Sequence, residues 1–317
     1  MREEIIGIDT PTHTLAATLT YTEESAKALI IMFAGSGPID RNENLPNFSI
    51  NIFNALAESF AQAGYASIRY DKRGCGASGG DYMSSGHSDF INDAVEVTEH
   101  AKQLRLFLNT PIVLLGHSEG AAIAPQVAKQ IPVCGLLLLC PFSRPLREVL
   151  LQQAINRTTE VQAMTGLKGS LARLFVGLRG GYDGMQRNFL KRVENSRADT
   201  VTYAKATLNA KWYREMLALD ILEVLKAIET PTFAIGGGKD AQCDPNDTQA
   251  LNQLITKAPV TTHIEQNLTH ILRCDEGPKG TGRYPELIKE PIDSLVASRC
   301  CEWLDELLKT HQTNELN

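Results

Sequence analysis

The sequence predicts an α/β fold: a mainly parallel sheet covered by helices on both faces, with a helical cap inserted into it. Strand-like and helix-like segments alternate through the first half of the chain, the order that yields parallel strands joined by crossover helices. Two of those strand segments, 112–115 and 135–139, are apolar on both faces, as strands buried between helix layers are. The 87 residues of 143–229 then precede the next convincing strand, whereas a parallel crossover needs only about a dozen.

In chain order, strands are expected over 5–9, 15–21 and 29–34, followed by a Gly/Pro loop over 35–46. The helix expected over 50–64 carries Phe53, Leu56, Ala57, Phe60 and Ala61 at i, i+3, i+4, i+7 and i+8, and Gly64 can stop it. A strand over 66–70 leads into a loop rich in glycine, 74–80. A second helix is expected over 88–108, with Ser88 as its N-cap. The strand at 112–115 passes through a glycine-bounded turn into an Ala-rich helix over 121–129, and a further strand covers 134–140. Within 143–229 apolar residues recur at helical spacing, with Leu146, Val149 and Leu150 on one face and Leu171, Leu174 and Phe175 on another. Gly180-Gly181-Tyr182 is a candidate hinge, and Trp212, Tyr213 and Met216 read as cap core. Strands at 232–236 and 260–265 return the chain to the sheet. A closing helix over 295–308 carries Val296, Cys300, Trp303, Leu304 and Leu307 on its inner face. The expected domains are a core of 1–142 and 230–317 and a cap of 143–229.

Composition narrows the function classes. Hydrophobic residues are 43% and charged residues 21%, too apolar for a disordered chain. Lys and Arg number 31 against 37 Asp and Glu, and the net charge of −6 opposes a nucleic-acid partner. No apolar run approaches the roughly 20 residues that span a bilayer. The opening Met-Arg-Glu-Glu lacks the apolar stretch of a secretory signal. Seven cysteines, an odd number without a CxxC, read as buried thiols in a reducing, cytoplasmic setting. No Cys/His cluster has zinc spacing, so neither a metal nor a cofactor is expected. The state of assembly stays open, a homodimer included.

The sharpest motif is Gly116-His117-Ser118-Glu119-Gly120, a G-x-S-x-G between a buried strand and a helix. That context is what a nucleophile elbow requires: small neighbours let strand and helix approach, and the strained Ser projects at a helix start that favours negative charge. A nucleophilic Ser needs a base and an oxyanion site. The residue after it, Glu119, supplies one backbone N–H. The loop Ala34-Gly35-Ser36-Gly37-Pro38, directly after an early strand, can supply the other from Ser36. Gly35 and Gly37 would let a substrate approach the backbone closely.

The chain resembles the serine hydrolases of the α/β-hydrolase fold. Gly35-Ser36-Gly37-Pro38-Ile39-Asp40-Arg41 resembles the GSGP-x-DR loop of bacterial acyl esterases, although it continues Asn42-Glu43-Asn44 where they have DGN. Arg69-Tyr70-Asp71-Lys72-Arg73-Gly74 resembles a strand-end RYD-x-RG motif. Trp212-Tyr213-Arg214-Glu215 and Leu219-Asp220 are similar to the end of the cap. Gly238-Lys239-Asp240-Ala241-Gln242 resembles the acid loop, with Cys243 where the family prefers Val, and Asn267-Leu268-Thr269-His270 the histidine loop. The resemblance implies a triad of Ser118, Asp240 and His270 in the fold's chain order, with His270 a solvent-near base in the loop after the last strand. His263 falls inside that strand. His13, His100 and His311 read as surface or helix residues, and His87 as a residue able to line the site. His117 is grouped with Gly35 and Gly37 beside the substrate, although its side chain should point away from Ser118 and pack. Asp40, Arg41, Asp71 and Arg73 read as braces for their loops. Asp244, before Pro245, is placed to cap a helix beginning near 246.

The expected reaction is hydrolysis of small acyl esters through an acyl-enzyme, with no cofactor. A thioesterase or an aminopeptidase of the same fold is the alternative. An aminopeptidase needs free cap carboxylates for the substrate amine, for which Glu160, Asp183 and Glu194 are candidates. A non-catalytic binding protein on this scaffold is the remaining class.

Overall fold

The computed structural model describes residues 1–22 and 25–315. One eight-stranded sheet forms its centre. β1 (Arg2–Asp9) and β2 (Thr14–Tyr21) pair antiparallel at one edge. β3 (Leu29–Phe33), α1 (Ile52–Gln62), β4 (Ala66–Tyr70), α2 (His87–Gln103), β5 (Ile112–His117), α3 (Gly120–Ala128) and β6 (Gly135–Leu139) follow in alternation. Next come α4 (Leu146–Ala163), α5 (Gly166–Gly177), α6 (Gly181–Glu194), the hairpin β7 (Thr200–Tyr203) and β8 (Ala206–Asn209), α7 (Ala210–Ala218) and α8 (Ile221–Lys226). The chain rejoins the sheet through β9 (Thr232–Gly237), α9 (Pro245–Leu254) and β10 (Val260–Glu265), then α10 (Tyr284–Leu287) and α11 (Ser294–Glu315). The strand order is β1-β2-β4-β3-β5-β6-β9-β10, and every pair from β4 to β10 is parallel.

Side-chain alternation along the strands explains the layers. Leu29, Ile31, Ile68, Leu114, Leu136 and Ala234 face a core with α2, α3, α8 and α9. Ile30, Met32, Val113, Leu115, Leu137 and Ile235 face the opposite core with α1 and α11. Strands apolar at successive positions are thus the signature of a sheet buried on both faces.

Four local expectations change. Ser88 does not cap α2; Gly86 precedes the helix in an extended conformation, and its N–H donates to Asp89 Oδ2 at 2.7 Å. Helix α2 also ends at Gln103, before a separate short turn at Arg105–Phe107. The segment between β6 and β9 is not all helical, because β7 and β8 pair antiparallel. Leu171, Leu174 and Phe175 are 52–62% exposed, while α5 buries Val176 instead. Helical spacing marks a possible apolar face but does not guarantee a neighbour to cover it. Gly180 and Gly181, both with positive φ, form the turn between α5 and α6. Among the described residues no helix is long and apolar enough to cross a membrane.

Candidate active site

Ser118 lies where β5 gives way to α3, with φ 54°, a left-handed conformation that a non-glycine residue adopts only under constraint. The constraint is visible. Ser118 N–H donates to the Leu139 carbonyl of β6 at 2.9 Å, and the Ala121 N–H returns to the Ser118 carbonyl at 3.0 Å. A Cβ on Gly116 would collide with the Gly120 carbonyl, and one on Gly120 with the Phe33 carbonyl. Only glycines let β3, β5 and α3 meet this tightly around the serine.

His270 Nε2 lies 3.1 Å from Ser118 Oγ, and its Nδ1 lies 2.8 Å from Asp240 Oδ2. The network assigns Nδ1 as the donor to Asp240, which leaves Nε2 to accept the serine hydroxyl. The second Asp240 oxygen, Oδ1, accepts the N–H groups of Gln242 and Cys243 at 2.7 and 2.8 Å. Burial pushes the Asp240 carboxyl up, but the His270 charge and hydrogen bond and those two N–H donors outweigh it and hold it below its ordinary value. The histidine loop folds back on itself through Thr269 N–H to the Arg273 carbonyl at 2.9 Å and the Leu268–Cys274 bridge. A Cβ on Gly237 would strike the Leu268 carbonyl, so a glycine at the end of β9 lets the acid and histidine loops touch. His270 is only 5% exposed, not solvent-near as expected: its ring lies 5.0 Å, centroid to centroid, from that of buried His117 and bonds buried Asp240.

The loop after β3 approaches from the other side. A Cβ on Gly35 would sit 3.3 Å from Ser118 Cβ. Gly37 has φ 112°, which the chain needs for its turn toward Ile39. Among the described residues, neither the Ser36 N–H nor the Glu119 N–H donates a hydrogen bond. Two unengaged donors flanking a serine suit an oxyanion.

Buried charges hold these loops in place. Glu43, 2% exposed, accepts the Gly35 N–H at 2.6 Å and pairs with His117 Nδ1 at 2.8 Å. His117 Nε2 bonds the His270 carbonyl at 2.9 Å. His117 therefore does not line a substrate space as expected: both ring nitrogens are used, one on Glu43, which holds the Gly35 loop, and one on the loop of His270. Burial lowers its pKa, but the Glu43 charge and hydrogen bond outweigh that and raise it. The Glu119 side chain forms a second cluster, pairing with Lys72 at 2.8 Å, His87 at 3.2 Å and the Trp212 indole N–H at 2.5 Å. Trp212 thus ties α7 to the elbow. Burial pushes the Glu119 carboxyl up, yet the Lys72 charge and the His87 and Lys72 hydrogen bonds hold it at about 2.

A carboxylate depressed from 4.5 to about 2 stabilises the fold fully above its unfolded value and loses that contribution as pH falls toward its folded value. The Tm advantage of the wild type over Glu119→Gln should therefore be constant above pH ~5 and shrink as pH falls from 4.5 to about 2. Calorimetry across that range checks it, and a pH-independent difference would contradict it.

The remaining polar residues brace. Arg41 binds Asp71 through both carboxylate oxygens at 2.9 and 2.7 Å, Arg73 binds Asp93, and Asp40 accepts the Asn42 and Asn44 N–H groups. Asp244 caps α9 by accepting the Asn246 N–H at 3.0 Å. His263 lies in β10 and pairs with Glu265. The His13 side chain is 5% exposed against Asp93 rather than on the surface, and the His311 side chain lies outside the described set. Cys274 is exposed, unlike the buried thiols expected. Sequence reasoning missed Glu43 and assigned Lys72 no role. An acid and a lysine in loops carry no periodic signal, and their partners are distant in the chain.

Among the described residues, two groups bring possible metal ligands within 4.8 Å, namely His117, Cys140 and His270, and Asp240, Cys243 and His270. Both need His270, whose nitrogens already face Asp240 and Ser118. Burial pushes the Cys140 and Cys243 thiols well above their ordinary value, which opposes the thiolate a metal requires.

A model of the family described as serine aminopeptidase, S33, matches residues 47–276. The chain belongs to that family. The matched span of this S33 family member includes Ser118, Asp240 and His270 but begins beyond the Ser36 loop and Glu43. The chain is also 25% identical to esterase EstD of Thermotoga maritima over 277 residues, which is 87% of this chain and 61% of that protein. It thus spans about three fifths of that relative's length. Est1E of Butyrivibrio proteoclasticus, solved with ferulic acid bound, superposes with a TM-score of 0.61 at 16% identity, covering 96% of this chain and 99% of its own. The Pyrococcus furiosus esterase Pf2001 gives 0.61 at 15% identity over 97% and 91% of the two chains. These likenesses show the fold, which is that of the α/β hydrolases.

Proposed function

We propose that this S33 family member is a carboxylic ester hydrolase acting on small acyl esters. The observation that carries the reading is the hydrogen-bonded series from Ser118 Oγ through His270 to Asp240, beside two unengaged N–H donors. His270 accepts the Ser118 proton as Oγ attacks the acyl carbonyl. Asp240 holds the imidazole tautomer and stabilises the imidazolium. The Ser36 and Glu119 N–H groups meet the oxyanion, a contribution of about 3–4 kcal/mol for one such donor. The alcohol leaves with the proton from His270, and water repeats the sequence on the acyl-enzyme. The relationship to esterase EstD supports ester over amide.

The cap carboxylates also favour an ester. Glu160 pairs with Arg157, Asp183 with Arg187 and Glu194 with Arg147, so each is neutralised by a neighbour rather than held for a substrate amine. Residues 143–229 act as the cap. Their α4 forms one wall of a cavity of about 720 Å3, whose other walls include Asp240–Asp244 and Lys279. This cavity borders the acid side of the site, where a substrate's remote group would lie. The net charge of −6 and the absence of disulfides among the described cysteines support a cytoplasmic enzyme with no nucleic-acid partner.

The test is a hydrolysis profile over p-nitrophenyl esters of rising chain length, alongside acyl-CoA and aminoacyl amides. Short esters should be turned over with the highest kcat/KM, and exchange of 143–229 for another esterase's cap should shift the preferred length. A preference for acyl-CoA or amides would replace the esterase reading, and an unchanged profile in a folded chimera would remove the cap from specificity.

A further inference from the structure

Lys72 follows β4 and is 4% exposed. Its ammonium donates to the Gly35 carbonyl at 2.6 Å and to a Glu119 carboxylate oxygen at 2.8 Å, and lies 4.8 Å from the centroid of the Phe90 ring. The Gly35–Ser36 peptide bond is trans, so the Gly35 oxygen and the Ser36 hydrogen point in opposite directions across one rigid plane. Whatever holds one end aims the other. A cation on the carbonyl also draws density toward oxygen and strengthens the same peptide's N–H as a donor, most of all away from water. On the preceding peptide, Glu43 accepts the Gly35 N–H at 2.6 Å. Gly35 is thus held at both its N–H and its carbonyl by buried charges of opposite sign.

Stability alone does not call for an ammonium here. Buried ion pairs are often replaced by apolar side chains of similar volume at no cost to the fold. The placement of the pair is what sets it apart. Its carboxylate belongs to Glu119, whose backbone N–H is the second oxyanion donor, and its ammonium rests on the peptide that carries the first.

We infer that Lys72 is a positioning residue of the oxyanion hole: its ammonium orients and polarises the Gly35–Ser36 peptide, and its ion pair with Glu119 locks the two N–H donors into one geometry. This rests on the esterase reading and names a further residue for the same site. Lys72 touches no substrate. Its contribution belongs to the transition state, where the carbonyl oxygen becomes an anion, and not to substrate binding.

The experiment compares Lys72→Met with Lys72→Met/Glu119→Gln, in which no unpaired carboxylate remains. Both should lose about 10- to 100-fold in kcat for ester hydrolysis, with KM changed less than about threefold. Affinity for an alkyl boronate, which mimics the tetrahedral anion, should fall by the same factor as kcat. The double variant should regain the thermal stability that the single variant loses while its kcat stays low. Recovery of kcat in the double variant, or a loss appearing in KM alone, would reduce Lys72 to a counter-ion and overturn the inference. A wild type whose hydrolysis does not depend on Ser118 overturns the esterase reading and this inference together. A Ser118-dependent wild type with a fully active Lys72→Met overturns the inference only.

Discussion

Ser118→Ala is expected to lower kcat for ester hydrolysis several thousandfold or more, on the order of 10⁴-fold, with the fold intact. The substitution removes one oxygen, whose only side-chain partner among the described residues is His270 Nε2 at 3.1 Å. The backbone bonds that hold the elbow, Ser118 N–H to Leu139 and Ala121 N–H to Ser118, do not involve the side chain. Alanine and serine face the same steric cost at φ 54°, so the strained turn should persist with little change in Tm. The two N–H donors remain, and residual activity above water should reflect them. Steady-state kinetics and labelling with a fluorophosphonate check the prediction together. Full labelling of the alanine variant would mean that another serine is the nucleophile.

Asp240→Asn should cost about 10⁴-fold in kcat, whereas Asp244→Asn should keep most activity and stability. The structure gives the reason for each. Asp240 meets donors at both oxygens: His270 on Oδ2, and the Gln242 and Cys243 N–H groups on Oδ1. An asparagine in that place has one oxygen and one NH2. With its NH2 toward His270, it donates to Nδ1 and forces the proton to Nε2, the wrong tautomer for a base. With its NH2 toward the loop, it opposes two backbone donors and weakens the turn that aims it. The Asp244 side chain accepts the Asn246 N–H and lies 3.8 Å from Arg144, and asparagine caps a helix as well as aspartate does. Parallel kcat and Tm measurements on the two variants decide. An inactive Asp244→Asn beside a near-normal Asp240→Asn would move the acid role from one residue to the other.

The legibility of the sheet and the elbow has a common cause. The strands at 112–115 and 135–139 announce themselves because a sheet buried on both faces demands unbroken apolar runs, a property of consecutive residues. Gly116 and Gly120 are forced by the collision of any Cβ with neighbouring backbone, so the elbow leaves its mark within five residues. The acid and histidine loops were legible by resemblance, each as a short motif after a strand. The start of α2 was misread because Ser88 and Gly86 are both acceptable before a helix, and the Glu215 carboxylate takes the Ser88 N–H and hydroxyl from across the fold. The β7–β8 hairpin was missed because its strands have four residues each, too few for periodicity to register.

By itself, then, the sequence determined what short-range stereochemistry and local burial impose: the alternating elements, the sheet buried on both faces, the strained serine turn, and the loops in which an acid and a histidine stand. Only the tertiary structure decided how those loops are held to one another. Lys72 reaches Glu119 across 47 positions of chain, and His117 reaches Glu43 across 74. It likewise decided that His270 is covered, and that the apolar face of α5 is left open. A residue's local conformation depends on its immediate neighbours, which the sequence states directly. A buried charge depends on which distant partner the fold carries to within hydrogen-bond reach, and no local pattern encodes that distance.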